Sequence, residues 1–199
     1  MKQRRTASGG IRIIAGRYRR LRIAFDEAPG LRPTPDRVKE TIFSWLAPVL
    51  KGARCLDAFA GSGALGFEAA SRGAAVVDML ELQPRVADRL RRESRRLKAE
   101  MVNVHCADAS GWLARNPARG EAYTVIFLDP PFRSGMSNRC LGAVAEHGWL
   151  APDGYVYMEL GIDSDPLELP AGWELVRAKR AGRVRYHLAS PAGRPYTGR

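Results

Sequence analysis

Between residues 54 and 160 the chain alternates short apolar runs with amphipathic ones, and this restricts the fold more than any other feature. The apolar runs are RCLDAFA (54–60), AAVVDMLEL (74–82), VNVHCAD (102–108), YTVIFLDPPF (123–132) and GYVYMEL (154–160). Their length and near-continuous apolar character predict strands buried on both faces. Helical runs separate them: one opened by a glycine loop and reaching about Arg72, and one from Pro84 to about Glu100. A short one lies around Gly111–Arg115, and a last one runs from about Ser137 to His147. Pro84 suits a first helical turn, where no intrahelical donor is needed. Such alternation predicts an α/β fold, a mostly parallel doubly wound sheet with helices on both faces. WELVRAKRAG and RVRYHLAS predict two closing strands in an antiparallel hairpin.

Upstream, residues 11–25 (IRIIAGRYRRLRIAF) read as a hairpin crowded by Arg12, Arg17, Arg19, Arg20 and Arg22. The two prolines of LRPTPDR (31–37) forbid regular structure. Asp36 is then expected to N-cap a helix whose apolar positions are Val38, Ile42, Trp45, Leu46 and Val49, ending by Lys51-Gly52. The expected division is a basic hairpin over 1–30, a Rossmann-like domain over 31–192 and a tail over 193–199. In RVADRLRRESRRLKAE, Val86, Leu90 and Leu97 give a partial apolar stripe. The arginines around it read as a solvated face laced with i,i+4 pairs rather than as an RNA contact.

Charge narrows the partner class. The 199 residues carry 32 Lys+Arg against 21 Asp+Glu, a formal net charge of +11, with pI near 10.2. Arginine suits bidentate phosphate contacts, so nucleic acid is the expected partner, and an anionic membrane surface is disfavoured. No apolar run approaches the roughly 20 residues needed to span a bilayer. MKQRRTASGG is not followed by an apolar signal core, so a cytoplasmic protein is expected. Cys55, Cys106 and Cys140 are scattered, as are His105, His147 and His187, so neither a disulfide framework nor a metal site is expected. Cys55 and Cys106 are expected to be small buried hydrophobes.

Residues 57–66, DAFAGSGALG, contain a literal G-x-G-x-x-G, and Glu81 follows Gly61 by 20 positions, as in dinucleotide-binding folds. Two features turn the loop toward another ligand. Asp57 stands four residues before Gly61, where it would repel a pyrophosphate and attract an ammonium and a sulfonium, the two cations of S-adenosylmethionine. Glu81 fits the ribose of either ligand. Asp129-Pro130-Pro131-Phe132 has no use in hydride transfer but suits methylation of an exocyclic base amine, a poor nucleophile whose lone pair is delocalised. A carboxylate and a proline-fixed carbonyl can accept its N–H bonds and point the lone pair at the methyl, while Phe132 stacks on the base. Asp129 is also placed to take the proton, during or after transfer.

LRPTPDRVKETIFSWL, CLDAFAGSGALGFEAASRGA and FLDPPF, in this order and spacing, resemble the RsmD family of bacterial small-subunit ribosomal RNA guanine-N2 methyltransferases. The resemblance runs from RIIAGRYR through the last strands. It implies a class I S-adenosylmethionine-dependent methyltransferase fold, Rossmann-like, with a seven-stranded sheet whose last hairpin is antiparallel. It implies methylation of one guanine N2 in 16S ribosomal RNA, on an assembled or partly assembled 30S subunit, by a monomer. By position, Asp57, Gly61, Ser62 and Gly63 would line the methionine part of the cofactor, Glu81 the ribose, and Asp108 with Ala109 the adenine. Asp129 to Phe132 would clasp the guanine, and Thr34 and Arg37 would close over the cofactor. Gln83 departs from the acidic residue expected there. The hairpin arginines 12, 17, 19, 20 and 22 would dock RNA. Other readings are an adenine-N6 DNA or RNA methyltransferase, a non-catalytic RNA-binding assembly factor, and an NAD oxidoreductase.

Overall fold

The computed structural model describes residues 8–26, 35–115, 117, 122–131 and 135–193. The N-terminal hairpin is β1 (Ser8–Arg12) and β2 (Arg22–Asp26). Then follow α1 (Asp36–Leu50), β3 (Arg54–Asp57), α2 (Ala64–Ser71), β4 (Val76–Glu81), α3 (Pro84–Leu97) and β5 (Val102–Cys106). The chain continues through α4 (Ala109–Leu113), β6 (Tyr123–Leu128), α5 (Met136–Glu146), β7 (Leu150–Gly161), β8 (Trp173–Ala181) and β9 (Val184–Pro191).

Seven strands form one sheet in the order β5-β4-β3-β6-β7-β9-β8. β3 pairs in parallel with β4 and β6, as do β4 with β5 and β6 with β7, while β9 is antiparallel to β7 and β8. The order reverses at β3, so the carboxyl ends of β3, β4 and β6 border a topological switch point, where ligands bind in open α/β sheets. Strand alternation sends odd-numbered residues such as Cys55, Met79, Phe127 and Tyr157 to one face, under α1, α2 and α3. The even-numbered Leu56, Leu80, Ile126 and Met158 face α4, α5 and Trp149. Burial on both faces is why these strands read as unbroken apolar runs.

Three local expectations need correction. Pro35, not Asp36, is the N-cap of α1: its carbonyl accepts from Val38 and Lys39, and Asp36 is the first helical residue. The Asp36 carboxylate instead pairs with Lys39 at 3.1 Å. Cys106 is exposed, because it is the last residue of an edge strand; Cys55 is buried as expected. On α3 the ion pairs are spaced i,i+3, Asp88–Arg91 and Glu93–Arg96.

The hairpin is fastened to the main domain by buried polar bonds. Glu68 of α2, with no exposed surface, accepts from the amides of Ile14 (2.7 Å) and Ala15 (3.1 Å) and from Arg72 Nε (2.7 Å). Ser71 accepts from the Tyr18 amide at 2.9 Å and donates to the Ala15 carbonyl. Lys39 of α1, equally buried, donates to the Arg12 carbonyl at 2.6 Å. Ile13, Tyr18 and Ile23 join the core beneath α1–α3. Truncating Glu68 leaves two part-buried amides and the Arg72 guanidinium without their acceptor, whereas an exposed pair such as Asp88–Arg91 contributes little. Glu68→Ala is expected to cost about 3–5 kcal/mol in chemical denaturation. It should also speed hydrogen exchange at Ile14 and Ala15, while Asp88→Ala changes stability by less than about 1 kcal/mol.

Candidate active site

The loop between β3 and α2 is shaped by glycine at three positions. Gly61 (φ 48°) and Gly63 (φ 79°) adopt left-handed backbone that side chains disfavour, and this turns the chain sharply from strand into helix. A Cβ at Gly66 would come within 2.3 Å of Met79 Cε and 3.1 Å of Asp57 Oδ2, so any side chain there would force the buried Met79 to shift. Asp57, the last residue of β3, is 2 % exposed, and its Oδ2 accepts from the Gly66 amide at 2.9 Å. Its carboxylate therefore lies beneath the loop, bonded to the first turn of α2, rather than on the loop's surface. Burial pushes its pKa up to about 7 against the lowering effect of the Gly66 and Phe59 amides, and the charge of Glu81 adds to the rise.

Glu81 ends β4 on the same face. Its two oxygens accept from the amides of Gly61 (3.0 Å) and Gln83 (2.8 Å), which fixes the carboxylate at the rim of the loop with further lone pairs free. This bond joins two of the expected site segments directly. Leu82, next in the chain, is 66 % exposed and adds an apolar surface there. Asp108 lies just past β5 and caps α4 through the Gly111 amide at 2.8 Å; Ala109 behind it is buried. Ser62 is buried within the loop.

Asp129 follows β6 at the same edge, half-buried, with Pro130 buried and Pro131 exposed. Phe132 and Thr34 lie outside the described residues; Arg37 is exposed in the first turn of α1. Arg12, Arg17, Arg19, Arg20 and Arg22 are all exposed on the hairpin. Arg22 Nη2 donates to the Gly10 carbonyl at 3.2 Å, and Arg17 lies over the Tyr18 ring at 5.5 Å.

One buried carboxyl escaped sequence reasoning. Glu159 of β7, 7 % exposed, accepts from Tyr157 Oη at 2.7 Å. The signal was present as a lone acid inside the apolar run GYVYMEL. In spatial order β4-β3-β6-β7, the edge thus carries Glu81, Asp57, Asp129 and Glu159, all of the parity that faces α1–α3. Burial, then the charges of Glu159 and Asp57, raise Asp129 well above the carboxylate range, and burial raises Glu159 despite its bond from Tyr157. The amino edge behaves oppositely. There Asp78 receives bonds from His105 (3.1 Å), Asn103 (3.1 Å) and Tyr123 (3.0 Å), and Arg54 stands 3.6 Å away. Burial raises Asp78, but these bonds outweigh it and hold its pKa below normal. Among the described residues no group of three or more His, Cys, Asp or Glu could hold a metal ion, and no helix is long and apolar enough to cross a membrane.

This sheet order, with a glycine loop after the switch-point strand, an acid ending the next strand and a D-P-P turn after β6, is the fold of a class I methyltransferase. The family model described as Conserved hypothetical protein 95, that of the RsmD family, matches residues 11–190, and the chain belongs to this family. It is 42 % identical over 187 residues to Ribosomal RNA small subunit methyltransferase D of Escherichia coli (strain K12), covering 94 % of this chain and 93 % of that one. The protein of the same name from Haemophilus influenzae is 41 % identical over 187 residues, 92 % of this chain and 94 % of its own. The solved structure of yhhF from Escherichia coli superposes with a TM-score of 0.85 at 39 % identity, over 92 % of this chain and 98 % of that one. An RNA methyltransferase from Salinibacter ruber, solved in complex with S-adenosyl-L-homocysteine, shares the fold at TM-score 0.60 and 19 % identity, over 82 % of this chain and 97 % of its own.

The ionised Asp57 is disfavoured by folding, since its folded pKa lies above the unfolded value. Its stabilising influence is present at low pH and is lost as pH rises from about 4 to about 7. Asn keeps an acceptor for Gly66 without the charge. The melting temperature of Asp57→Asn relative to wild type is therefore expected to rise between pH 5 and pH 8; a difference that falls with pH would contradict this.

Proposed function

We propose that the chain methylates the exocyclic N2 amine of a guanine in 16S ribosomal RNA, using S-adenosylmethionine, on an assembled or partly assembled 30S subunit. The observation that carries the reading is the meeting of the glycine loop, Glu81 and Asp129-Pro130 at one sheet edge. The family membership and the names of the E. coli and H. influenzae relatives support the RNA substrate.

The residues at this edge fit the methyl donor. Asp57 and Glu81 lie at the loop and Asp108 beyond β5, and the loop itself, Gly61-Ser62-Gly63, carries no basic side chain. Such a set suits a ligand with an ammonium, a sulfonium and ribose hydroxyls, and would repel a pyrophosphate. Glu81 would hold the ribose, Leu82, Asp108 and Ala109 the adenine, and Ser62 with the loop glycines the methionine part. Bound there, S-adenosylmethionine supplies an electrophilic methyl carbon on sulfur. Asp129 and the Pro130 carbonyl accept the two N–H bonds of the amine, which draws the nitrogen toward tetrahedral geometry and aims its lone pair. Orientation of this kind is worth several kcal/mol of barrier.

The hairpin supplies the RNA contact. Its five exposed arginines are presented on a rigid arm, because Glu68 and Ser71, which hold the arm, belong to the same helix that the glycine loop opens.

Asp129→Ala is expected to leave S-adenosylmethionine affinity within about threefold by calorimetry and to lower turnover by a factor on the order of 10²–10⁴. Lost affinity with retained turnover would reverse the assignment. Nuclease digestion and mass spectrometry should return N2-methylguanine at one mapped position, from purified subunits or from naked RNA; N6-methyladenine would sink the guanine reading. Replacing Arg17, Arg19 and Arg20 together with Ala should weaken RNA binding. It should also flatten the slope of log K against log[salt] by about 2–3, since each phosphate contact contributes about 0.7–0.9.

A further inference from the structure

We propose that Glu159 is a positioning residue for Asp129: the two carboxyls share one proton across the β6–β7 register, so that Glu159 sets when Asp129 can take the proton of the amine. The inference rests on the role given to Asp129 above. β6 and β7 pair in parallel through Ile126–Val156, Phe127–Tyr157 and Leu128–Met158, so the next step sets Asp129 abreast of Glu159. Opposed residues of a parallel pair point to one face, about 4.8 Å apart along the hydrogen-bonding direction. The preceding pair on that face shows it directly: the rings of Phe127 and Tyr157 meet edge-on with centroids 6.2 Å apart.

Two carboxylates so placed cannot both ionise without large repulsion, and one of them keeps its proton. Tyr157 Oη occupies Glu159 Oε1. Bonding at that oxygen orients the carboxyl and leaves Oε2 for the shared proton.

The other titratable groups facing the pair are acidic or phenolic. Asp57 stands on β3 beside Phe127, Tyr157 precedes Glu159 on β7, and Tyr186 of β9 lies opposite Glu159. From α1, the Lys39 amine is turned to the Arg12 carbonyl and Asp36. Among the described residues no cation pairs with either carboxyl. Burial displaces both upward, and the charge of Glu159 adds to the rise at Asp129, in keeping with a proton held between them. A buried acid without a cation is poorly explained by stability, because an apolar side chain would serve the core better.

The arrangement serves the proton step. The nitrogen lone pair forms the new N–C bond while the C–S pair stays on sulfur. The proton of one N–H bond passes to Asp129, and that bond's electron pair returns to nitrogen. Tyr157's bond favours ionised Glu159, so the shared proton rests on Asp129 and leaves to solvent before Asp129 takes the amine's; Glu159 thereby sets the pH above which Asp129 acts as a base.

The test is Glu159→Gln, which preserves size and an acceptor for Tyr157. Carboxyl-¹³C NMR of the full chain, with the Asp129 signal assigned through Asp129→Asn, should show the Asp129 midpoint falling by about one pH unit or more. The acid limb of the kcat–pH profile should move down with it. A midpoint and limb that stay in place overturn the proposal. Should Glu159→Gln fail to fold, Tyr157→Phe provides a second reading. Removing the donated bond favours the proton on Glu159, so the Asp129 midpoint should fall by a smaller amount, and no movement again overturns it. Wild-type turnover in Asp129→Asn would instead overturn the role of Asp129, a failure distinct from that of the pairing, which the NMR titration reads without turnover.

Discussion

The bond from the Gly66 amide to the buried Asp57 carboxylate is the contact on which the rest of the site depends. It ties the end of β3 to the first turn of α2 at a separation where a side chain at position 66 would displace Met79. With strand and helix drawn together, the intervening loop must turn through left-handed backbone at Gly61 and Gly63. That turn brings the Gly61 amide to Glu81, which fixes the second ligand-facing strand end against the first. A carboxylate at position 57 is costly, as its displacement to about 7 shows. Its carboxylate satisfies the helix amide of Gly66, which would otherwise be orphaned in the interior, and this offsets part of the cost.

The same helix works from its other end. Glu68 and Ser71 lie in the last turns of α2 and hold the β1–β2 hairpin by its backbone. Side-chain-to-backbone bonds fix the position of an element independently of which residues it displays, so the arginines of the hairpin are held in place without being consumed in holding it. A basic arm carried on a flexible tether would lose orientation on each encounter with RNA. Here arm and loop are two ends of one eight-residue helix.

Much of this was legible in the sequence, and what was not has physical reasons. The order of strands and helices followed from apolar periodicity, because burial on both faces leaves no polar alternation to confuse it. The convergence of Asp57, Glu81 and Asp129 followed from the rule that ligands gather at carboxyl ends of parallel strands. The N-cap shifted by one residue because the Pro35 carbonyl, rather than the Asp36 side chain, defines the first turn. The direction of the Asp57 side chain was hidden, since only tertiary packing decides whether a carboxylate at a strand end points outward or back under the helix. Glu159 was visible as a letter but not as a site: its meaning depends on which strand lies beside β7 and in what register. Glu68 and Lys39 lie in helical runs that gave no sign of their partners, which are backbone groups of the docked hairpin.

The two edges of the sheet show how one scaffold gives acids opposite behaviour. At the amino edge Asp78 is surrounded by donors and a nearby guanidinium, and its pKa stays low. At the carboxyl edge Asp57, Asp129 and Glu159 share one face, none paired with a cation among the described residues, and all are raised. The chain nevertheless carries a net charge of +11. The five hairpin arginines are exposed, while carboxyls rather than cations gather at the switch point. A net positive field draws polyanionic RNA, whereas the carboxyls at the switch point offer phosphate no counter-charge. RNA held on such a surface can present a neutral base to the edge, but its backbone is kept out. Sorting by charge thus separates the two substrates before any specific contact is made.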